Sequence, residues 1–179
     1  MNFDSIQNPV KANFLVGFAD LSKFGRITAK MDDAELFDLL TGWYELAGDL
    51  VSSSGGQVVK CIDDALLIVY PEDKCDEGVL GLIELQEKSE QFFQERNINT
   101  KLKMTAHFGE AVMGKTGIKG DKHLDILGKT VNTAAMLETQ NGFAMTAAAF
   151  RSLSPEPRKK FKKHTPPITY IPVEERHRD

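Results

Sequence analysis

Two apolar runs separated by only two residues constrain the fold of this chain most strongly. The runs Gln57–Ile62 and 65–70 flank Asp63 and Asp64, and so short a connection is typical of a β-hairpin. The segment therefore predicts a tight hairpin with both aspartates at its tip. Because the turn lacks the favoured glycine, we expect Asp63 or Asp64 to adopt a strained backbone angle.

The segment before the hairpin predicts a long amphipathic helix over residues 33–52. Apolar residues recur there at spacings of three and four, which indicates one buried helical face. Asp32 and Glu35 form a capping pair at its start, and Gly55 and Gly56 follow its end. The same reading predicts strands at 13–18, 101–108, 110–113, 143–146 and 168–171, helices at 76–96, 128–138 and 147–153, and a basic loop at 158–164.

This order of elements favours an α+β fold of ferredoxin-like type, with a mainly antiparallel sheet flanked by helices. With 179 residues and 41% hydrophobic content, the chain can bury one good core. We expect a lead over residues 1–12, one domain over 13–173 and a charged tail over 174–179.

Charge and composition exclude several classes of binding partner and of cellular location. A net charge of −4 supplies no global field that would attract nucleic acid or an anionic membrane. The apolar run 65–70 falls far short of the roughly 20 residues that a spanning helix needs. The first fifteen residues lack the apolar stretch of a secretory signal, and Cys61 and Cys75 match no disulfide or zinc pattern. A cytoplasmic protein that binds neither membrane nor nucleic acid is the expectation.

Two carboxylates at strand ends suggest a metal site. Asp20 follows the first strand and Asp64 lies in the hairpin turn, so they face each other if the two strands are neighbours. Hard oxygen ligands in that arrangement suit Mg²⁺ or Mn²⁺, and a pair of ions could clamp a transferring phosphoryl group. Taken alone, however, aspartates in turns are usually just turn residues.

Four segments in the same order and with matching separations resemble the catalytic domain of class III adenylyl and guanylyl cyclases. They are FADLSKF at 18–24, VVKCIDDALLIVY at 58–70, HFGEAVMG at 107–114 and LDILGKTVNTAAMLE at 124–138. The resemblance covers nearly the whole chain and implies the class III nucleotidyl cyclase fold. The implied activity is the conversion of ATP to 3′,5′-cyclic AMP and pyrophosphate.

The resemblance implies a site with two metal ions, Mg²⁺ or Mn²⁺. Asp20 and Asp64 match the metal aspartates, and Leu21 would add a carbonyl ligand. The turn that follows would offer backbone amides to the triphosphate at a helix start; it comprises Ser22, Lys23, Phe24 and Gly25.

The resemblance assigns recognition of the nucleoside to other residues. Lys60 and Asp125 match the pair that selects adenine, because a lysine donates to adenine N1 and a carboxylate accepts from the exocyclic amine. Asn132 matches the asparagine that orients the ribose. Lys162 matches a lysine that grips the terminal phosphates, although Lys160 or Lys163 could serve equally.

In the family, the metal aspartates come from one chain, and the base and ribose contacts come from the other. The resemblance therefore implies a head-to-tail homodimer with two equivalent sites. The sequence identifies no regulatory protein partner.

The sequence departs from the pattern of the cyclase family at two positions. Met136 stands where the family has an arginine that stabilises the transition state, and comparable arginines contribute about 10³ to 10⁵ in rate. Asp63 replaces a glycine and adds negative charge beside the site. We therefore expect weak adenylate cyclase activity, unless Arg26 or Arg151 supplies the missing cation. The alternative is a catalytically degenerate module that binds nucleotide or dimerises.

A second segment matches the sequence pattern of a different kind of nucleotide site. GEAVMGKT at 109–116 has the spacing of a P-loop, but that loop must open directly into a helix. Residues 111–113 predict a strand and 117–121 break helices, so an ATPase site at Lys115 is disfavoured.

Overall fold

The computed structural model describes residues 1–139, 142–165 and 167–174. Within these residues eight strands form one sheet in the order β2-β3-β1-β4-β6-β8-β7, and β5 pairs with β4 beside this path. Strand pairs are antiparallel apart from β4 and β6, which run parallel. The strands are β1 (Val10–Leu21), β2 (Gln57–Ile62), β3 (Ala65–Pro71), β4 (Leu102–Ile118), β5 (Asp121–Leu127), β6 (Phe143–Met145), β7 (Phe161–His164) and β8 (Thr169–Pro172).

The predicted long helix and hairpin are both present. The helices are α1 (Phe24–Thr28), α2 (Asp33–Ser53), α3 (Cys75–Gln94), α4 (Lys129–Met136), α5 (Ala147–Ser152) and α6 (Pro155–Arg158), and short 3-10 turns cover Phe3–Ser5 and Glu72–Lys74. The Asp32 carboxylate accepts from the amides of Ala34 and Glu35, and the Glu35 side chain accepts from the Asp32 amide. This capping box confirms the predicted start of α2.

The two faces of the sheet are covered unequally. Helices α2, α3 and α5 pack on one face, where Trp43, Leu82 and Ala149 join the larger core cluster. The opposite face, here called the open face, carries α4, β5 and the N-terminal turn over a smaller cluster. Side chains alternate along β1, so Leu15 and Ala19 point to the helical face and Phe14 and Val16 to the open face.

Three predicted elements need correction. β4 is one continuous strand of 17 residues rather than the two expected at 101–108 and 110–113. The sequence does not predict β5, because its many polar side chains obscure the alternation of apolar and polar residues; its pairing with β4 makes it a strand. The predicted basic loop at 158–164 is instead the end of α6 followed by the edge strand β7.

None of the helices in the described ranges is both long and apolar enough to cross a bilayer.

Candidate functional site

The carboxylates of Asp20 and Asp64 meet where β1 ends against the hairpin turn. Asp20 pairs with Ala65 across the β1–β3 ladder, and the Leu21 amide donates to the Asp64 carbonyl at 3.2 Å. Partial burial, followed by the charge of Asp20, raises the pKa of Asp64 to about 6. The predicted juxtaposition of these aspartates is therefore present.

The hairpin turn has an unusual backbone. Asp63 has a φ of 49°, in the left-handed region that favours glycine, so the expected strained angle falls on Asp63. The Tyr44 hydroxyl of α2 donates a hydrogen bond to the Asp63 carbonyl. Burial, and then the charges of Cys61, Asp63 and Asp64, raises the pKa of Tyr44, which keeps the hydroxyl protonated as a donor.

The donor set around Asp20 and Asp64 fits a divalent cation that also binds phosphate. Two adjacent carboxylates repel each other in the free chain, and a cation would remove that repulsion. Among the described residues, no cluster of three or more His, Cys, Asp or Glu side chains could hold a metal. A two-carboxylate site is typical of Mg²⁺ sites completed by substrate phosphates and water.

Lys60 and Asp125 form an ion pair on the open face. Lys60 lies opposite Leu67 in the hairpin, and Leu67 belongs to the open-face cluster, so Lys60 points to that side. Its Nζ lies 2.6 Å from Asp125 Oδ2, and the Asp125 side chain is only 10% exposed. The Ile126 amide donates to Asp125 Oδ1 at 2.8 Å. A donor and an acceptor thus stand side by side on a fixed support.

Helix α4 presents Asn132 and Met136 to solvent one turn apart, on the same side of the helix. Met136 is 81% exposed. Two buried threonine hydroxyls hold the helix to β4, because Thr130 donates to the Glu110 carbonyl at 2.6 Å and Thr105 to the Ala134 carbonyl at 2.8 Å. Both side chains stand on a firmly attached helix, and Met136 has no positive charge to offer.

The turn after Asp20 departs from one expectation. The Ser22 amide donates to the Lys101 carbonyl at 2.8 Å, so it is already engaged and does not face a triphosphate. Lys23 has a φ of 61° and precedes α1. The amides of Phe24 and Gly25 open that helix, and first-turn amides have no partner within a helix. They remain the predicted phosphate donors of this turn.

The cations considered from sequence lie on different elements. Lys162 is on the edge strand β7, and its Nζ donates to the Val173 carbonyl at 3.2 Å; Lys160 and Lys163 are exposed beside it. Arg26 is on α1, close in sequence to the turn after Asp20. Arg151 is on α5, which packs on the helical face through Ala149, away from the open face.

The P-loop reading is excluded by the backbone. Residues 109–116 lie within β4, mostly in its second half, and this strand turns into β5 rather than into a helix. Lys115 therefore has no phosphate-binding loop around it.

The hydrogen bond from Tyr44 to Asp63 is a feature of the site that the sequence does not predict. Tyr44 follows the buried Trp43 on α2, so it lies at the edge of the buried helical face, where a tyrosine can keep its hydroxyl in a polar environment. No spacing in the sequence indicates that the hydroxyl reaches Asp63.

Comparison with known proteins points to one family. A family model for the adenylate and guanylate cyclase catalytic domain matches residues 6–168. The chain is 32% identical to an adenylate cyclase of Streptomyces coelicolor over 131 residues, which cover 72% of this chain and 30% of that protein. The chain thus spans less than a third of that relative's length.

Solved structures share the fold. A bacterial light-regulated adenylyl cyclase superposes with a TM-score of 0.81 at 18% identity, over 100% of this chain and 56% of that one. The guanylyl cyclase Cya2 superposes with a TM-score of 0.76 at 13% identity, over 92% of each chain. At these identities the likeness establishes the fold and leaves base specificity to the residues of the site.

Proposed function

This chain belongs to the adenylate and guanylate cyclase catalytic-domain family, and on that premise we propose that it converts ATP to 3′,5′-cyclic AMP and pyrophosphate. The observation that carries the proposal is the pairing of two sets of side chains, Asp20 with Asp64 and Lys60 with Asp125. The first pair suits a metal-bound triphosphate, and the second suits a purine base.

In this reaction the ribose 3′-oxygen attacks the α-phosphorus. The bond between the α-phosphorus and the oxygen that bridges it to the β-phosphate then breaks, and pyrophosphate leaves. When bound, two Mg²⁺ or Mn²⁺ ions would favour loss of the 3′-hydroxyl proton and neutralise charge on the phosphates. Asp20, Asp64 and the Leu21 carbonyl would hold these ions. The Phe24 and Gly25 amides would bind phosphate oxygens, and Lys162 or a neighbouring lysine would bind the terminal phosphates.

Adenine rather than guanine is the base that this donor and acceptor pair fits. Lys60 would donate to adenine N1, while Asp125 would accept from the exocyclic amine. Guanine carries a protonated N1 and a carbonyl in these places, so it would present a donor to Lys60 and an acceptor to Asp125. Asn132 would orient the ribose from the exposed side of α4.

A homodimer is part of the proposal, because cyclase catalytic domains commonly pair head to tail. In that arrangement the metal aspartates of one copy face Lys60, Asp125 and Asn132 of its partner. Each dimer would hold two equivalent sites, and a separated monomer would be inactive.

A second candidate function rests on Met136. Its exposed side chain stands where a cation would stabilise the transition state, so a module that binds nucleotide and dimerises without turnover is the rival. The two candidates differ in chemistry, since the rival predicts ATP binding with no cyclic product.

The test measures cyclic AMP formed from Mn²⁺–ATP, with GTP in parallel, by the native chain at concentrations that favour dimers. We expect slow turnover that prefers ATP, and we expect Met136→Arg to raise kcat at least about tenfold, since such arginines contribute about 10³ to 10⁵ elsewhere. Met136→Gln is the control, because it adds polarity without charge and should leave kcat near native.

Activity confined to Met136→Arg would instead support the non-catalytic module. Absence of cyclic product from the native chain and from both variants would refute the cyclase proposal.

A further inference from the structure

The backbone on both sides of the Asp64 side chain is held by hydrogen bonds from two different elements. On one side the Tyr44 hydroxyl, from α2, donates to the Asp63 carbonyl. On the other side the Leu21 amide, at the end of β1, donates to the Asp64 carbonyl at 3.2 Å. Since these two carbonyls flank the Cα of Asp64, the two bonds together fix the backbone there and the direction of the Cα–Cβ bond that carries the carboxylate.

The hairpin tip needs such support because its own sequence does not favour its shape. Asp63 has a Cβ and still adopts a φ of 49°, a region that is unfavourable for residues other than glycine. The flanking ladder ends at the Ile62–Ala65 pair, so Asp63 and Asp64 lie outside it. An external donor to the Asp63 carbonyl therefore stabilises a backbone conformation that the turn would otherwise leave.

Tyr44 is well placed to act as that donor. The preceding residue, Trp43, is fully buried, and its Nε1 donates to Ser89 Oγ of α3 at 2.9 Å. The Trp43 and Tyr44 rings also lie 5.7 Å apart between centroids. The helix is therefore anchored to α3 immediately beside Tyr44, so the hydroxyl is presented to the turn from a rigid support.

We infer that Tyr44 is a positioning residue for metal binding, which acts through the Asp63 carbonyl to hold the Asp64 carboxylate beside Asp20. This inference deepens the proposed function and rests on it, because it assigns Asp64 to the metal. Tyr44 touches neither substrate nor metal. Loss of the Tyr44 hydroxyl should therefore weaken binding of the cation and leave recognition of the nucleotide base unchanged.

The test replaces Tyr44 by Phe, which removes the hydroxyl and keeps the ring. The matched control is Tyr70→Phe, at the other end of β3, which removes a hydroxyl bonded to Ser54 Oγ at 3.0 Å. Binding of Mn²⁺ to the full chain is followed by loss of the free-ion signal in electron paramagnetic resonance. The Mn²⁺ dependence of cyclic AMP formation and the KM for ATP at saturating Mn²⁺ are measured alongside.

We expect Tyr44→Phe to weaken Mn²⁺ binding about fivefold and to raise the Mn²⁺ concentration for half-maximal activity by the same factor, the size expected for one hydrogen bond. The KM for ATP and the preference for ATP over GTP should match the native chain, and Tyr70→Phe should match it in every measurement. Equal Mn²⁺ affinities for Tyr44→Phe and Tyr70→Phe would overturn the inference and leave the proposed function standing.

The remaining outcomes separate the inference from the proposed function. A native chain that binds no Mn²⁺ would overturn both. Weakened Mn²⁺ binding in Tyr44→Phe, together with no cyclic product from the native chain, would support the inference and refute the cyclase proposal.

Discussion

The two charged pairs of the site differ in kind. Asp20 and Asp64 carry the same charge, and their proximity contributes to the raised pKa of Asp64. Lys60 and Asp125 carry opposite charges and satisfy each other at 2.6 Å. One pair is thus electrostatically strained in the free chain, while the other is complete.

This difference indicates how each half of the site should respond to its ligand. A divalent cation would relieve the repulsion between Asp20 and Asp64, so binding there gains from the strain. A purine base would have to share or replace an internal partner of Lys60 and Asp125, so binding there is closer to an exchange. The metal half of the site, Asp20 and Asp64, should therefore control stability and turnover. The base half, Lys60 and Asp125, should control selectivity between ATP and GTP.

The largest expected effect that separates the halves is on base selectivity. Lys60→Met removes the proposed donor to adenine N1, and a pair of good hydrogen bonds to a base discriminates by about 1 to 3 kcal/mol. We expect the ratio of kcat/KM for ATP over GTP to fall about tenfold. The measurement is cyclic nucleotide formation from each substrate at saturating Mn²⁺.

The matched control for Lys60 is Lys11→Met, which breaks the exposed Lys11–Glu110 ion pair at 2.8 Å. That change should leave the ATP preference intact. An equal loss of selectivity in both variants would mean that Lys60 acts only through overall charge.

A smaller effect is expected on the stability of the metal-free protein. Because the folded chain raises the pKa of Asp64 from 3.8 to about 6, the folded state binds a proton more tightly than the unfolded state. Native stability therefore falls as pH rises through this window, and the cost persists above about pH 6. Asp64→Asn removes that cost.

We expect Asp64→Asn to be more stable than the native chain by about 1 kcal/mol at pH 7.5, a figure kept below full linkage because the carboxylate retains contact with water. Below about pH 4 the gain should vanish, since the native carboxyl is then protonated. Urea unfolding of the native chain and the variant, in the presence of a chelator, measures the stability difference at each pH. A gain that persists unchanged at pH 4 would contradict electrostatic strain.

The sequence predicts local geometry better than distant contacts in this chain. The hairpin, its strained turn residue and the capping box of α2 follow from short-range patterns, and the structure confirms them. The proximity of Asp20 to Asp64 follows once the two strands are neighbours. The proximity of Lys60 and Asp125 could be predicted only from the family resemblance.

The features that the sequence hides depend on tertiary structure. β5 contains Lys122, His123 and Asp125, and its strand character comes from its pairing with β4. The Ser22 amide was expected to bind phosphate, but it donates to the carbonyl of Lys101, the residue before β4. Tyr44 reaches Asp63 only because α2 packs over the hairpin. None of these contacts leaves a periodic signal in the sequence.

In the proposed dimer, each active site combines Asp20 and Asp64 of one chain with Lys60, Asp125 and Asn132 of its partner, and complementation between inactive variants can reveal such a shared site. Asp64→Asn and Asn132→Ala should each lose most activity alone, the first by more than about 100-fold, since even outer partners of metal ligands contribute 10- to 100-fold.

When the two variants are mixed under conditions that allow subunit exchange, half of the dimers should be mixed and each mixed dimer should hold one intact site. We therefore expect the mixture to recover about a quarter of native cyclic AMP formation. Capture on a tag carried by one variant verifies that mixed dimers have formed. A mixture of verified dimers that stays as inactive as its parents would contradict a shared site.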